Sequence, residues 1–173
     1  MKKPEDITGP IEFPAGTKSL LCKHLSKEIH EKYRGKSDKA GVSFERMILS
    51  GAQNVDSGIG VYAGDHDSYY TFPDLFDKII EDYHQHGKDA KHKSDMDFTK
   101  LSCPPLSKED AAMIKSTRIR VGRNLKNFPL GPGISKEQRD KVEELVSKAL
   151  SGMTGDLKGK YYPLNGMKPE VAK

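Results

Sequence analysis

The sequence predicts an α+β molecule: a small all-helical first half followed by the opening of an α/β unit. Three observations carry that expectation. Up to residue 84 the apolar residues recur at helical spacing, with one glycine-rich interruption at 54–65. Ser116-Thr117-Arg118-Ile119-Arg120-Val121 instead alternates with the period of a strand. A helix with a capping-box start at Ser135 follows, and one strand with one flanking helix cannot cover each other, so the second half reads as part of a larger unit.

Taken in order, residues 1–16 hold Pro4, Pro10 and Pro14 and read as an irregular arm. Thr17 is expected to cap a helix running to about Tyr33, with Leu21, Leu25 and Ile29 on one side and Gly35 as its stop. His24 and His30 lie six apart on that helix, which is not a ligand spacing, so both read as packing or surface residues. Ser43 starts a short helix with Phe44, Met47 and Ile48 inward, ending near Gly51. Asp65-His66-Asp67-Ser68 can cap a helical turn. Phe72 to His84 is a further helix, with Leu75, Phe76, Ile79, Ile80 and Tyr83 as its apolar stripe. Gln85 to Lys100 is polar and reads as a linker; its neighbourhood holds His84, His86 and His92 without the supporting residues of a metal site, so no metal is expected. Ser107 opens a short helix, and a strand is expected from about Met113 to Arg123. The helix from Ser135 carries Val142, Leu145, Val146, Ala149 and Leu150 and stops at Gly152. A turn and a short extended piece over 155–164 follow, and a new helical start is expected at Asn165 or Lys168.

Composition narrows the function classes. The 173 residues carry a net charge of +4, from 29 Lys and Arg interspersed with 25 Asp and Glu, rather than the concentrated basic patch of a nucleic-acid binder. Two distant cysteines, Cys22 and Cys103, make no disulfide framework and fit a reducing compartment. Met1 to Pro14 has no apolar h-region, and no run approaches a membrane span. A cytoplasmic monomer without nucleic-acid or membrane partners is expected.

Two stretches carry candidate chemistry. In the strand reading, Ser116, Arg118 and Arg120 share one face, with the two guanidiniums about 7 Å apart. Two such forks can grip a polyphosphate; an edge strand with solvated arginines explains the same pattern. In the glycine-rich stretch, Gly58, Gly60 and Gly64 alternate with small residues, so main-chain N–H groups can approach a guest such as a carboxylate; a plain connection is the alternative. No P-loop, dinucleotide fingerprint or protein-kinase loop set is present.

Three separated blocks then resemble the phosphagen kinases, the ATP:guanidino phosphotransferases. They are Gly60-Val61-Tyr62-Ala63-Gly64-Asp65 with Ser68-Tyr69, Phe72 and Leu75-Phe76-Asp77; Ser116 to Arg123 followed by Phe128-Pro129-Leu130; and Asp156 to Leu164 with Gly166-Met167. The resemblance implies a helical N-terminal domain over 1–95 with a guanidino-substrate loop at 56–64, a linker at 96–112, and over 113–173 the start of a catalytic domain built on an antiparallel sheet with helices. It implies reversible transfer of the γ-phosphoryl of Mg-ATP to a guanidino compound, giving Mg-ADP, with the magnesium held by the nucleotide. Ser116, Thr117, Arg118, Ile119 and Arg120 would bind ATP. Ser57, Gly58, Ile59, Gly60, Val61 and Tyr62 would bind the guanidino substrate, and Asp56 would tie the loop to the second domain on closure. The short loop resembles the arginine kinase type, Asp-Ser-Gly-x-Gly-x-Tyr-Ala, although Gly64 stands where proline is common in arthropod members. Arginine is the expected acceptor, with taurocyamine or lombricine as alternatives. The family's catalytic Glu, its reactive Cys and three further phosphate-binding arginines lie downstream in relatives. This chain alone is therefore expected to contain no catalytic residue and to be inactive. A non-catalytic module of the same fold, binding a partner or polyanion through Arg118, Arg120 and Arg123, is the competing reading.

Overall fold

The computed structural model describes residues 3–172. Seven α-helices follow one another: α1 (Leu20–His24), α2 (Lys27–Tyr33), α3 (Phe44–Gln53), α4 (Ser68–Thr71), α5 (Pro73–His84), α6 (Lys108–Met113) and α7 (Lys136–Ser151). Short 3-10 turns lie at Pro4–Asp6, Phe98–Lys100 and Gly155–Leu157.

The helices start where serines can satisfy open backbone donors. Ser19, Ser26, Ser43, Ser107 and Ser135 each accept a hydrogen bond from a first-turn N–H of the helix that follows. Ser26 explains why the single helix expected over 17–33 is two. Its side chain accepts from Ile29 N at 3.2 Å and begins α2, while Leu25 ends α1 in an extended conformation. Ser19, not Thr17, caps α1. At α7 the expected capping box is formed: Ser135 Oγ accepts from Gln138 N, and Gln138 Oε1 accepts from Ser135 N.

Among the described residues one hydrophobic core is formed; its buried members come from the first half, with Leu130 packed against it. Leu21, Phe44, Met47, Ile48, Phe72 and Leu75 are fully enclosed, joined by Ile29, Tyr33, Val61, Phe76 and Ile79. Tyr33, Phe44 and Phe72 form an aromatic triangle with centroids 5.2–5.5 Å apart. His30 lies beside it, buried and edge-on to Phe44, with no protein partner for either ring nitrogen. Helix α5 packs on α1 and α4, and the Pro4–Asp6 turn packs on α3. Among the described residues, none beyond Ile79 is buried.

The expected antiparallel sheet of a C-terminal α/β part is not formed. Among the described residues the only β pairing is one isolated bridge, Ser37 to Ser43, in the first half. Residues 114–123 belong to no strand, and Met113 ends α6 instead of opening one. The physical reason is the missing ladder. An extended segment is stabilised by neighbouring strands and a buried face, and here Ile119 and Val121 are 86% and 82% exposed. The apolar side of α7 is likewise uncovered at Leu145, Val146 and Leu150. The helical start expected near Asn165 or Lys168 is a series of turns.

Candidate functional site

The glycine-rich stretch between α3 and α4 is held from behind by its own backbone. Gly58 and Ile59 present their carbonyls to Leu20 N and Leu21 N at 3.0 and 2.9 Å, using donors that the first turn of α1 leaves open. Gly60 O accepts from Gly51 N at 2.8 Å, and Tyr62 N donates to Met47 O at 3.0 Å, so the loop is laced to α3 as well. This closeness needs glycine on both sides. A Cβ at Gly51 would sit 2.6 Å from Gly60 O, and Gly60 itself has φ +84°. Val61 and Ala63 point into the core, while Gly58 and Tyr62 stay exposed.

The far end of the loop is braced by polar groups. Ser68 Oγ accepts from Gly64 N at 3.1 Å and Asp65 N at 2.9 Å, and donates to the buried Asp38 at 2.7 Å. Buried Asp67 receives the Lys39 ammonium and the Thr71 hydroxyl; the Lys39 hydrogen bond, followed by that of Thr71, holds its carboxyl below the usual carboxylate range. The turn after the arginine segment docks here too. Leu130 N donates to Gly64 O at 2.8 Å, and Arg46 Nε donates to Pro132 O at 3.2 Å. Residues 128–134 thus touch the helical half, although the reading by domains assigns them to the second unit.

Between loop and turn lies a cavity of about 380 Å³, walled by Ile59, Val61 and Tyr62 of the loop, Phe76, Ile79 and Ile80 of α5, and Leu130 and Pro132 of the turn. Its walls are largely apolar, so it suits packing better than the recognition of a charged group.

The predicted site residues separate into two groups. Ser57, Gly58, Ile59, Gly60, Val61 and Tyr62 form one laced loop, with Asp56 exposed at its start. Ser116, Thr117, Arg118, Ile119 and Arg120 lie in an exposed segment without secondary structure. Among the described residues no hydrogen bond or ion pair joins the two groups. Sequence reasoning missed Asp38, Val42 and Gly133 altogether. The sequence presents Ser68 only as part of a capping pattern and a family block; its bond to Gly64 N is set by Asp38, thirty positions away. Among the described residues, no group of three His, Cys, Asp or Glu side chains is arranged to hold a metal ion, and no helix is long and apolar enough to cross a membrane.

A helical domain thus presents a glycine-rich loop from between two of its helices. Residues 15–81 match the family model described as ATP:guanido phosphotransferase, N-terminal domain, and the chain is similar along most of its length to phosphagen kinases. The chain is 48% identical over 151 residues to an arginine kinase of Anthopleura japonica, covering 87% of this chain and 21% of that protein. It is 46% identical over 159 residues to an arginine kinase of Liolophura japonica, covering 91% of this chain and 45% of that one. Among solved structures, a lombricine kinase superposes with a TM-score of 0.79 at 27% identity, over 99% of this chain and 46% of that one. The duplicated taurocyamine kinase of Schistosoma mansoni, with bound transition-state-analogue components, also gives 0.79, at 34% identity over 92% of this chain and 22% of its own. The chain thus spans less than half the length of these relatives.

Proposed function

We propose that this chain supplies the guanidino-substrate loop and the first nucleotide-binding segment of a phosphagen kinase whose acceptor is arginine. The observation that carries the reading is the loop at 56–64. Its carbonyls at 58–60 are spent on α1 and α3, so its inner edge is fixed while Gly58 and Tyr62 face outward. A loop held in that way meets a small substrate without first paying to become ordered. The arginine kinase names of the similar proteins, and the short loop, favour arginine over taurocyamine and lombricine.

Phosphoryl transfer makes few covalent demands on a protein. The guanidino nitrogen forms a bond to the γ-phosphorus as the bond to the ADP oxygen breaks, and the proton it loses is released to the medium, so that Mg-ATP and the guanidino compound give Mg-ADP, the phosphorylated guanidine and one proton. In this reading Arg118 and Arg120, with Ser116 and Thr117, grip the phosphates of the substrate Mg-ATP, and the loop holds the amino-acid end of arginine. Arginine guanidiniums keep their charge at any working pH, so they follow the charge as it moves onto ADP. Asp56, exposed beside the loop, is the group that closure would engage. The cytoplasm, where both substrates are available, is the proposed site of action.

The test is a titration of the chain, followed by NMR. L-arginine is expected to shift the amides of Gly58 to Tyr62 more strongly than creatine, taurocyamine or lombricine do. ATP is expected to shift those of Ser116 to Arg120, with affinity lost on Arg118→Ala. If arginine leaves Gly58 to Tyr62 unmoved at millimolar concentration, the reading is wrong. RNA binding with a steep salt dependence would point instead to a polyanion-binding module.

A further inference from the structure

We propose that Asp38 is a positioning residue for the substrate loop, acting through the Ser68 hydroxyl on Gly64. This rests on the reading that residues 57–62 take the substrate. Asp38 is 6% exposed and Ser68 fully buried, and both lie outside the loop. The hydrogen bonds run in one direction only. Ser68 Oγ already accepts from Gly64 N and Asp65 N, so its own hydrogen must go to an acceptor, which Asp38 Oδ2 supplies at 2.7 Å. Asp38 Oδ1 accepts from Val42 N at 2.9 Å, so both carboxylate oxygens are committed to donors. An asparagine cannot do this. In either orientation its amide NH₂ faces a donor, so one of the two bonds is lost.

What the pair holds is the corner where the loop ends. Gly64 is gripped on both sides of its peptide: its N–H by Ser68, its carbonyl by Leu130 N at 2.8 Å. Val42, whose amide Asp38 fixes, leaves no room beside it; a Cβ at Gly64 or at Gly133 would come within 2.5 Å of the Val42 side chain. Three stretches far apart in sequence therefore meet at Gly64: the 38–42 turn, the loop, and the turn that follows the arginine segment. Nine residues lie between Arg120 and Leu130, so the corner anchors the chain just beyond the arginine segment while leaving that segment itself unpaired.

The experiment is residue-resolved amide exchange on the whole 173-residue chain, with Ser68→Ala, the volume-conserving Asp38→Asn, and Ile29→Val as a control that loosens the core elsewhere. The Tyr62 and Leu130 amides are the reporters and the Ile79 amide the reference. Both site variants are expected to speed exchange at Tyr62 and Leu130 on the order of tenfold relative to Ile79, with the control leaving that ratio unchanged. Their arginine dissociation constant is expected to rise about threefold or more over that of the control. Unchanged reporters in Asp38→Asn, or equal acceleration of all three amides in both variants, would overturn the proposal. If the unsubstituted chain binds no arginine, the substrate reading falls while the exchange ratios still decide whether Asp38 fixes the corner, so the two failures are distinguishable.

Discussion

Gly60 has both of the properties that make a glycine irreplaceable. Its φ of +84° lies in the left-handed region, and a Cβ there would stand 3.0 Å from Leu21 Cβ and 3.1 Å from Gly51 Cα. A side chain in that backbone region costs roughly 1–2 kcal/mol, and crowding a packed site adds about 1–3. Gly60→Ala is therefore expected to destabilise the helical half by about 2–4 kcal/mol in a urea titration, whereas Gly58→Ala, with nothing within 4 Å of its Cβ, should cost under about 1. Equal midpoints for the two variants would show that the loop is not laced to α1 and α3. The glycines were legible in the sequence as a permissive loop. What was hidden is which of them faces a helix backbone, because that depends on the partners at Leu21 and Gly51. His30 was hidden for the same reason: periodicity put it on a helix but could not say that it would be enclosed beside Phe44.

The elements show where periodicity suffices and where it fails. α3 and α5 follow their apolar spacing closely, because a helix satisfies its own backbone and needs only one covered face; α7, with no face covered, forms on its own backbone bonds and its capping box. The strand over 113–123 had an equally regular pattern and did not form, because a strand is completed only by neighbours that no local pattern contains. The break at Ser26 was present in the sequence as a capping residue, but a continuous apolar stripe across it argued for one helix. Two of these caps should behave differently. Loss of a serine cap costs about 1 kcal/mol. At Ser26 that loss is transmitted to the core, because α2 buries Ile29, His30 and Tyr33. Helix α7 buries nothing, so Ser135→Ala should fray its first turn without moving the main unfolding transition. Thermal melts and α7 secondary chemical shifts separate the two. A drop in the main transition for Ser135→Ala as large as that for Ser26→Ala would mean that α7 is coupled to the core.

At the scale of the molecule, three carboxylates staple the helical half together: Asp67 to Lys39, Asp74 of α5 to Lys32 of α2, and Asp82 of α5 to Lys23 and His24 of α1. Each is held below the ordinary carboxylate range, chiefly by the lysine hydrogen bond, which His24 supplements at Asp82. A depressed folded value means that this stabilisation is complete above the unfolded value of about 4 and is lost as pH falls through the lower folded values. Unfolding should therefore become easier below about pH 4, and Asp82→Asn should flatten part of that slope. An acid limb unchanged in Asp82→Asn would remove that staple from the account. Among the described residues the second half has no ion pair joining two helices and no buried core, and this bears on catalysis. Transfer of a phosphoryl group asks for several charges fixed around one reacting centre, in a site closed to water. Here Arg118 and Arg120 sit on an exposed, unpaired segment, and among the described residues no polar contact links them to the loop. In the proposed reading each substrate meets its own stretch of chain, yet among the described residues nothing aligns one stretch with the other, and misalignment by a single ångström can cost a hundredfold in rate. A coupled assay with Mg-ATP and L-arginine should accordingly find no turnover by the 173-residue chain, even at concentrations where each ligand alone perturbs its amides. Measurable phosphoarginine formation would mean that the two stretches come together in solution in a way that their separate anchoring argues against.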